Sequence, residues 1–466
     1  MKTSTTVAES VPAPRLTCFK SYDIRGRLGD NLDAGIVYRI GRAAAEVLRP
    51  GLAVTGRDVR DSSPELQAAL IEGLRDGGAD VADIGPCGTE EVYFATDHLG
   101  AGAGLMVTAS HNPIDYNGLK LVQIGARPLP PETLGAIHDL AAGAGLPPAT
   151  TRGGLRTDDP RAAYVDRVLS FVDVAALRPM KILVNAGNGA AGPTFDAIAD
   201  ALAAAGPPLD FVRMHHDPDP GFPNGIPNPL LEENQPATAQ AVRAASADFG
   251  VAWDGDFDRC FFFDETGAFV PGEYVVALLA AAFLAKSPGA TIVHDPRVQW
   301  NTQATVARAG GRAVVSRTGH ALIKAKMREV DAVYGGEMSA HHYFRDFMSC
   351  DSGMIPWLLV AELVSRAHRP LSALVAEMRA AYPSSGEINF RVDDAGAAMA
   401  RVEAAFGAGA EIDRLDGLSL AHADWRLNLR ASNTEPVLRL NVETRGDPAL
   451  LAARRDAVAA VLEKRD

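Results

Sequence analysis

The sequence predicts an α/β protein of several domains, with largely parallel sheets and an α+β module at its C-terminal end. Three observations carry that expectation. The chain has 466 residues, too many for one hydrophobic core, so two to four domains are expected. Short apolar runs alternate with helical patterns over most of the length, the rhythm of βαβ units with helices on both faces of a sheet. The C-terminal segment abandons that rhythm for strict apolar–polar alternation, which is the mark of antiparallel strands.

The elements follow in order. Leu52 to Thr55 reads as a strand and Pro64 to Gly77 as the next helix. Val81 to Ile84 is the following strand, ahead of a GPCGTEE turn. Gly104 to Val107 is an apolar run, hence a buried strand. Met180 to Val184 and Ala290 to His294 restart the rhythm, while Phe249 to Trp253 and Cys260 to Phe263 flank an acidic turn. In the C-terminal segment, Trp425 to Arg430 and Val437 to Val442 alternate, which predicts one wet face. Asp447-Pro448 then opens a helix as N-cap and first residue, with Leu451, Val458 and Leu462 as its apolar stripe. Composition places boundaries in Ala142 to Asp159, in the DETG turn after Phe263, and near Tyr382-Pro383-Ser384-Ser385-Gly386. The expected organisation is therefore a flexible tail over 1–15 and domains over 16–158, 159–266, 267–382 and 383–466. No repeat is visible at the residue level.

Composition excludes several classes of function. Hydrophobic residues make up 47% and charged residues 22%, which fits a soluble globular protein. The net charge of −13 argues against nucleic-acid or membrane-surface binding, so an anionic ligand must meet a locally basic cleft. Cys18, Cys87, Cys260 and Cys350 lie far apart without metal-ligand spacing and read as reduced packing residues. No apolar stretch approaches a membrane span, and MKTSTTVAESVPAP lacks a signal-peptide core. A cytoplasmic location is expected.

Four segments carry chemistry. In Val107 to Lys120, VTASHNPIDYNGLK, Pro113 and Asn117-Gly118 break regular structure. Ser110 and His111 therefore sit on a loop at the end of a buried strand, where side chains reach ligands. In Asp254-Gly255-Asp256-Phe257-Asp258-Arg259, three carboxylates repel unless a cation joins them, and hard oxygen ligands suit Mg²⁺. Gly255 is expected to let the backbone turn so that the carboxylates converge. An EF-hand does not fit, because its downstream glycine and glutamate spacing is absent. In Gly335 to Tyr343, GGEMSAHHY, two glycines lead a loop presenting Glu337, Ser339 and His341, a set suited to sugar hydroxyls. Zinc is disfavoured there, because His341 and His342 should point apart on a strand and offer no partner ligands. In Arg430-Ala431-Ser432-Asn433-Thr434-Glu435-Pro436, a guanidinium fork with Ser, Asn, Thr and loop N–H groups can cradle phosphate.

TASHNP, DGDFDR, GEMSAHHYF and RASNTEP, in that order, resemble the α-D-phosphohexomutases, the phosphomannomutase/phosphoglucomutase superfamily. Phe19 to Gly26, FKSYDIRG, is similar to that superfamily's opening motif. FPNGIPNPLL and the histidine pair look most like bacterial phosphomannomutases of polysaccharide synthesis, several of which accept glucose phosphates. The resemblance implies three related α/β domains with mixed, largely parallel sheets plus a C-terminal α+β domain around a central cleft. It assigns them phosphoserine, metal-binding, sugar-binding and phosphate-binding roles in that order. Ser110 would carry a phosphoryl group, with Asp254, Asp256 and Asp258 holding Mg²⁺ against it and His111 and Lys120 beside it. Glu337, Ser339 and His341 would bind the sugar, the first two at O3 and O4. Arg430, Ser432, Asn433 and Thr434 would grip the phosphate that is not transferred. Tyr22, Arg25, Arg259, Arg297 and His320 would line the cleft. The substrate would be a small hexose phosphate, turned over by a monomer through a hexose 1,6-bisphosphate. Lys120, His341 and His111 are the candidate general bases.

Two residues depart from the superfamily's pattern. Phe257 stands where many members have glycine, and Arg317 where relatives often have lysine. The competing classes lack their own signatures: Ser110 is not in a G-x-S-x-G elbow, and no GxxxxGK[ST] loop is present. A non-catalytic sugar-phosphate sensor has no need of the intact serine and carboxylate motifs.

Overall fold

The computed structural model describes residues 16–143, 145–431 and 437–463. They form four sheets, the first three α/β and the last antiparallel. In the first sheet, Leu52–Arg57 lies between its parallel partners Ala103–Val107 and Asp80–Pro86. Tyr116–Gln123 then adds antiparallel beside Ala103–Val107. In the second, Met180–Asn185 pairs parallel with Leu209–Met214 and Phe249–Trp253, and Cys260–Asp264 adds antiparallel to the latter. In the third, Thr291–His294 pairs parallel with Arg312–Val315 and Ala332–Gly336, and His342–Phe344 adds antiparallel. The same device thus occurs three times. A buried parallel strand ends in a loop and returns as an antiparallel neighbour. Each of the first three chemical motifs lies in that loop, so the backbone shows a repetition that the residues hide.

The expected strands and helices are present with small shifts, such as Leu52–Arg57 for the first strand and Ser63–Asp76 for the first expected helix. The boundary region contributes a strand not foreseen, Leu155–Thr157, paired with Asp80–Pro86 at the sheet's edge. In the last sheet, Trp425–Ala431 and Val437–Thr444 pair along their length. Asp447 caps Pro448–Leu462 by accepting from Leu450 N–H, as the Asp-Pro signal predicts. The wet face does not materialise. Arg426, Asn428 and Glu443 on the polar face are all buried. Arg426 donates to Glu443 and to the carbonyls of Pro296 and Arg297, while Glu443 accepts from Gln299 and Trp300 N–H. The polar alternation thus marks a face packed on the third domain rather than solvent.

One apolar cluster runs through the second and third domains, including Phe195, Trp253, Leu279 and Trp357, and takes in Tyr93 and Phe94 of the first. The first and last domains also have cores of their own. All four cysteines are buried and free, consistent with packing residues. No described helix is long and apolar enough to cross a membrane.

Glu90 knits three domains at the start of helix Thr89–His98. Its carboxyl accepts from Tyr164 OH and from Gly353 N–H and is fully buried. Burial pushes this carboxyl well above the usual carboxylate range, against the effect of Ser352 and Tyr164. A carboxyl raised on folding stabilises below its unfolded value, and that contribution drains away as pH climbs toward its folded value. Glu90→Gln keeps an acceptor for Gly353 and can donate to the tyrosine oxygen without titrating. Its melting temperature relative to wild type should therefore rise between pH 5 and pH 8, measured by calorimetry. A difference independent of pH would show that Glu90 is ionised in the fold.

Candidate active site

The strand Ala103–Val107 delivers Ser110 into its loop with φ 49°, a left-handed conformation that a serine adopts only under support. Its N–H donates to Thr108 Oγ1 at 2.9 Å. Its hydroxyl donates to Asp254 Oδ2 at 2.8 Å and lies 3.0 Å from His111 Nδ1. Burial and the Arg259 guanidinium depress the His111 imidazole, which favours its neutral form as a proton acceptor.

The acidic loop joins Phe249–Trp253 to Cys260–Asp264. Asp254, Asp256 and Asp258 are all buried, and their ligand atoms lie within 4.8 Å of one another. The Oδ1 atom of each is buried and has no hydrogen-bond partner. Orphaned carboxylate oxygens carry a desolvation cost, and three clustered carboxylates form the donor set of a hard divalent cation. The residues therefore fit such an ion. Gly255 plays a different part from the one expected. The left-handed residue of the turn is Phe257, with φ 45°. Gly255 is required by close approach, since a Cβ there would meet the Ser110 carbonyl oxygen at 2.5 Å.

Cations converge on this turn from the first domain. Lys120 Nζ donates to Asp256 Oδ2 at 2.7 Å and, closer still, to Asp258 Oδ2. Its hydrogen bonds go to those carboxylates, the same cluster whose Asp254 accepts from Ser110. Burial opposes its charge, but Asp256 and Asp258 overcome that and hold the ammonium above the ordinary lysine value. So held, Lys120 neutralises charge on the acidic turn. Despite burial, Lys120 and Arg25 hold Asp256 well below the carboxylate range. Burial and Asp256 push Asp258 up to about 6. Arg25 donates to Asp23 and to the Thr108 carbonyl, and Arg259 Nε lies 3.6 Å from Asp254 Oδ2.

The third loop is preset for polar contacts. Buried Glu337 accepts from Gly319 N–H at 3.0 Å and from Tyr343 OH at 2.5 Å. Arg297 donates to Asp295 at 2.7 Å, to Ser339 Oγ at 3.3 Å and to Glu387 at 3.4 Å. The Tyr22 ring meets His320 edge-on, with centroids 6.0 Å apart. Burial and the Lys324 ammonium lower the His320 imidazole to about 3, so it is neutral at physiological pH. His341 and His342 do point apart: His342 Nδ1 lies 2.7 Å from Tyr334 OH, and His341 faces the acidic turn. The expectation that His341 has no partner carboxylates is overturned. Its Nδ1 lies 2.9 Å from Asp351 Oδ2 and 4.0 Å from Asp258 Oδ1. Asp351 is itself paired with Lys324 at 2.6 Å.

In the fourth domain, Arg430 is buried with Nε 3.9 Å from Asp416 Oδ2. Ser432, Asn433 and Thr434 lie outside the described residues. Sequence reasoning missed Thr89, whose N–H and hydroxyl both reach Asp256, at 3.1 and 2.6 Å. It also missed Asp351. The GPCGTEE turn, ahead of a helix, was a signal for the first; no local pattern marks the second.

Four family models match in order. They are the phosphoglucomutase/phosphomannomutase α/β/α domain I over residues 17–145, domain II over 162–267, domain III over 271–382, and the C-terminal domain over 387–461. A phosphomannomutase of Salmonella typhimurium is 57% identical over 97% of this chain and 100% of its own length. Phosphohexose mutases of Xanthomonas campestris are also 57% identical, over 96% of this chain and 99% of their own. A solved phosphoglucomutase/phosphomannomutase family protein from Burkholderia thailandensis superposes with a TM-score of 0.85 at 34% identity, covering 96% of this chain and 97% of that one.

The three orphaned oxygens make cation binding testable apart from turnover. Calorimetric titration with Mg²⁺ should show a single site, weakened at least about tenfold in Asp256→Asn. Equal affinity in the variant would remove the acidic turn as the ligand set.

Proposed function

The chain belongs to the phosphoglucomutase/phosphomannomutase family and is a phosphohexomutase, and from that premise we propose how its residues move the phosphoryl group. Ser110 is the carrier. In the forward half-reaction the bond from serine oxygen to phosphorus breaks and the leaving serine oxygen takes up a proton to become the hydroxyl. A bond forms from phosphorus to the free hydroxyl of a hexose phosphate, whose proton passes to a base. The product is a hexose 1,6-bisphosphate. After that intermediate turns over, the serine hydroxyl gives up its proton and attacks the other phosphorus, the bond from that phosphorus to the sugar oxygen breaks, and the sugar oxygen takes up a proton to leave the isomeric hexose monophosphate. The observation that carries this reading is the placement of Ser110 Oγ, 2.8 Å from Asp254 Oδ2, on a cluster of three buried carboxylates whose ligand atoms lie within 4.8 Å of one another. His111 Nδ1, 3.0 Å away, is an acceptor for the serine proton in the return step.

Asp254, Asp256 and Asp258 would hold Mg²⁺, which when bound offsets phosphate charge as a Lewis acid. Phosphoryl transfer is mostly positioning and charge neutralisation. Lys120, Arg25 and Arg259 supply fixed positive charge around the serine. Glu337, Ser339 and His341 orient the sugar, and Arg430 with the loop after it takes the distal phosphate. The protein acts in the cytoplasm.

Mannose is the first substrate, as in the named Salmonella relative, and glucose the second. The two sugars differ only at C2, whereas O3 and O4, the proposed contacts of Glu337 and Ser339, are common to both. Strong rejection requires that the wrong substrate leave a polar group unpaired.

Intact-mass measurement should find one phosphate on the wild type and none on Ser110→Ala, with turnover falling by orders of magnitude and the melting temperature kept. Near-normal turnover in that variant would sink the carrier role. Mannose and glucose 1-phosphates should give kcat/KM values within about two orders of magnitude of each other. N-acetylglucosamine phosphate should be poor, since its C2 substituent must enter a pocket closed around the ring. Comparative kinetics decide this, and silence on glucose 1-phosphate would reveal an unseen contact at C2.

A further inference from the structure

Arg60 is almost fully buried, yet it lies outside every motif that carries the chemistry. All its hydrogen-bonding capacity toward the serine loop goes to backbone carbonyls. Nη2 donates to Ser110 O at 3.0 Å and Asn112 O at 2.6 Å, and Nη1 to Pro113 O at 2.9 Å and Tyr116 O at 3.1 Å. Four carbonyls spread over the loop thus converge on one planar fork. Asp58 completes the arrangement from beneath. It pairs with Arg60 Nε at 3.5 Å, accepts from Ser63 Oγ at 2.5 Å and accepts from Ala109 N–H at 3.3 Å. The face of the guanidinium is covered from the second domain: its central carbon lies 5.7 Å from the centre of the Phe222 ring. Phe222 opens the FPNGIPNPLL segment, which the chemistry otherwise leaves without a task, and it is buried.

We propose that Arg60 and Phe222 form a positioning pair for Ser110. The inference rests on the carrier role of Ser110. The serine is held with φ 49°, a conformation that must be imposed from outside. The carbonyl oxygen that Arg60 holds, Ser110 O, is the atom against which Gly255 of the acidic turn closes. Arg60 therefore sets both the backbone angle of the serine and its distance from the carboxylates. It does so without touching Oγ. A guanidinium is required because five donors lie in one plane, whereas an ammonium is a point donor that cannot span four carbonyls. Phe222 acts through Arg60, keeping water from the carbonyls that the fork holds.

The test uses the full-length protein with Mg²⁺ and the variants Arg60→Lys, Phe222→Leu and the double variant. Arg60→Lys should lower kcat about 100-fold, the scale of a misplaced reacting group. KM for mannose 1-phosphate should stay within about threefold, because the sugar and distal phosphate are held by other domains. Phe222→Leu should lower kcat less, at unchanged KM, and add little in the Arg60→Lys background. Unimpaired kcat in folded Arg60→Lys, a loss expressed equally in KM, or fully additive losses would each overturn the inference. If Arg60→Lys does not fold, Phe222→Leu decides alone: lowered kcat at constant KM supports the pair, and unchanged kcat overturns it. Phosphate on the wild-type serine together with an unimpaired Arg60→Lys would sink this inference only. Wild type without that phosphate would sink the carrier role and this inference with it.

Discussion

Three carboxylates buried within one short turn cannot stand together unless positive charge meets them. Much of this molecule is arranged around that constraint. The turn belongs to the second domain, but the charges that answer it come largely from elsewhere. Lys120 and Arg25 approach from the first domain, and Lys324 lies behind the Asp351–His341 pair of the third. Only Arg259 is local. A folding unit that contained the acidic turn alone would bury uncompensated charge. Electrostatics therefore joins the domains at the point where chemistry needs them joined. The same logic lets a divalent cation enter: the Oδ2 atoms are already engaged, while the Oδ1 atoms remain unpaired.

The backbone solves the matching geometric problem by repetition. In each of the first three domains a buried parallel strand runs into a loop and returns as an antiparallel neighbour. The loop leaves the carboxyl end of a parallel strand, where α/β sheets commonly present ligands. In the last domain the phosphate motif likewise connects two antiparallel strands. Three loops with unrelated side chains thus occupy comparable positions. A repeat of this kind has no sequence signature, because what recurs is strand order and not residue type.

This explains what could be read from the chain and what could not. The strands Ala103–Val107 and Phe249–Trp253 announced themselves as apolar runs, and Ser110 and the acidic triad as local motifs beside them. Asp447-Pro448 was legible because capping is local physics. Lys120 was read by proximity in sequence to Ser110, whereas its ammonium crosses to the second domain, a contact between residues 136 and 138 positions apart. Arg60 was silent for the same reason, since it acts on a loop 50 positions away, whereas Asp351 pairs with the nearby His341 but no local pattern marks the pairing. The supposed wet face of the last sheet failed instructively. Alternation says that one face is polar, but not whether water or another domain meets it, and Arg426 and Glu443 meet another domain.

Phe257 shows how a departure from a family pattern can be self-consistent. Its φ of 45° costs a side-chain-bearing residue about 1–3 kcal/mol, which glycine at that position avoids. The compensation lies in the first domain. The Phe257 ring is fully buried, and it fills the space that a Cβ on Gly88 would need, with ring carbons 2.2 Å from that point. Burying a phenylalanine side chain returns about 1.5–3 kcal/mol, enough to offset the backbone. Gly88 immediately precedes Thr89, whose N–H and hydroxyl hold Asp256. Ring, helix start and central carboxylate are therefore one contact surface. The phenylalanine that strains the acidic turn also fastens it to the domain that supplies the serine, so residues 88 and 257 must be chosen together.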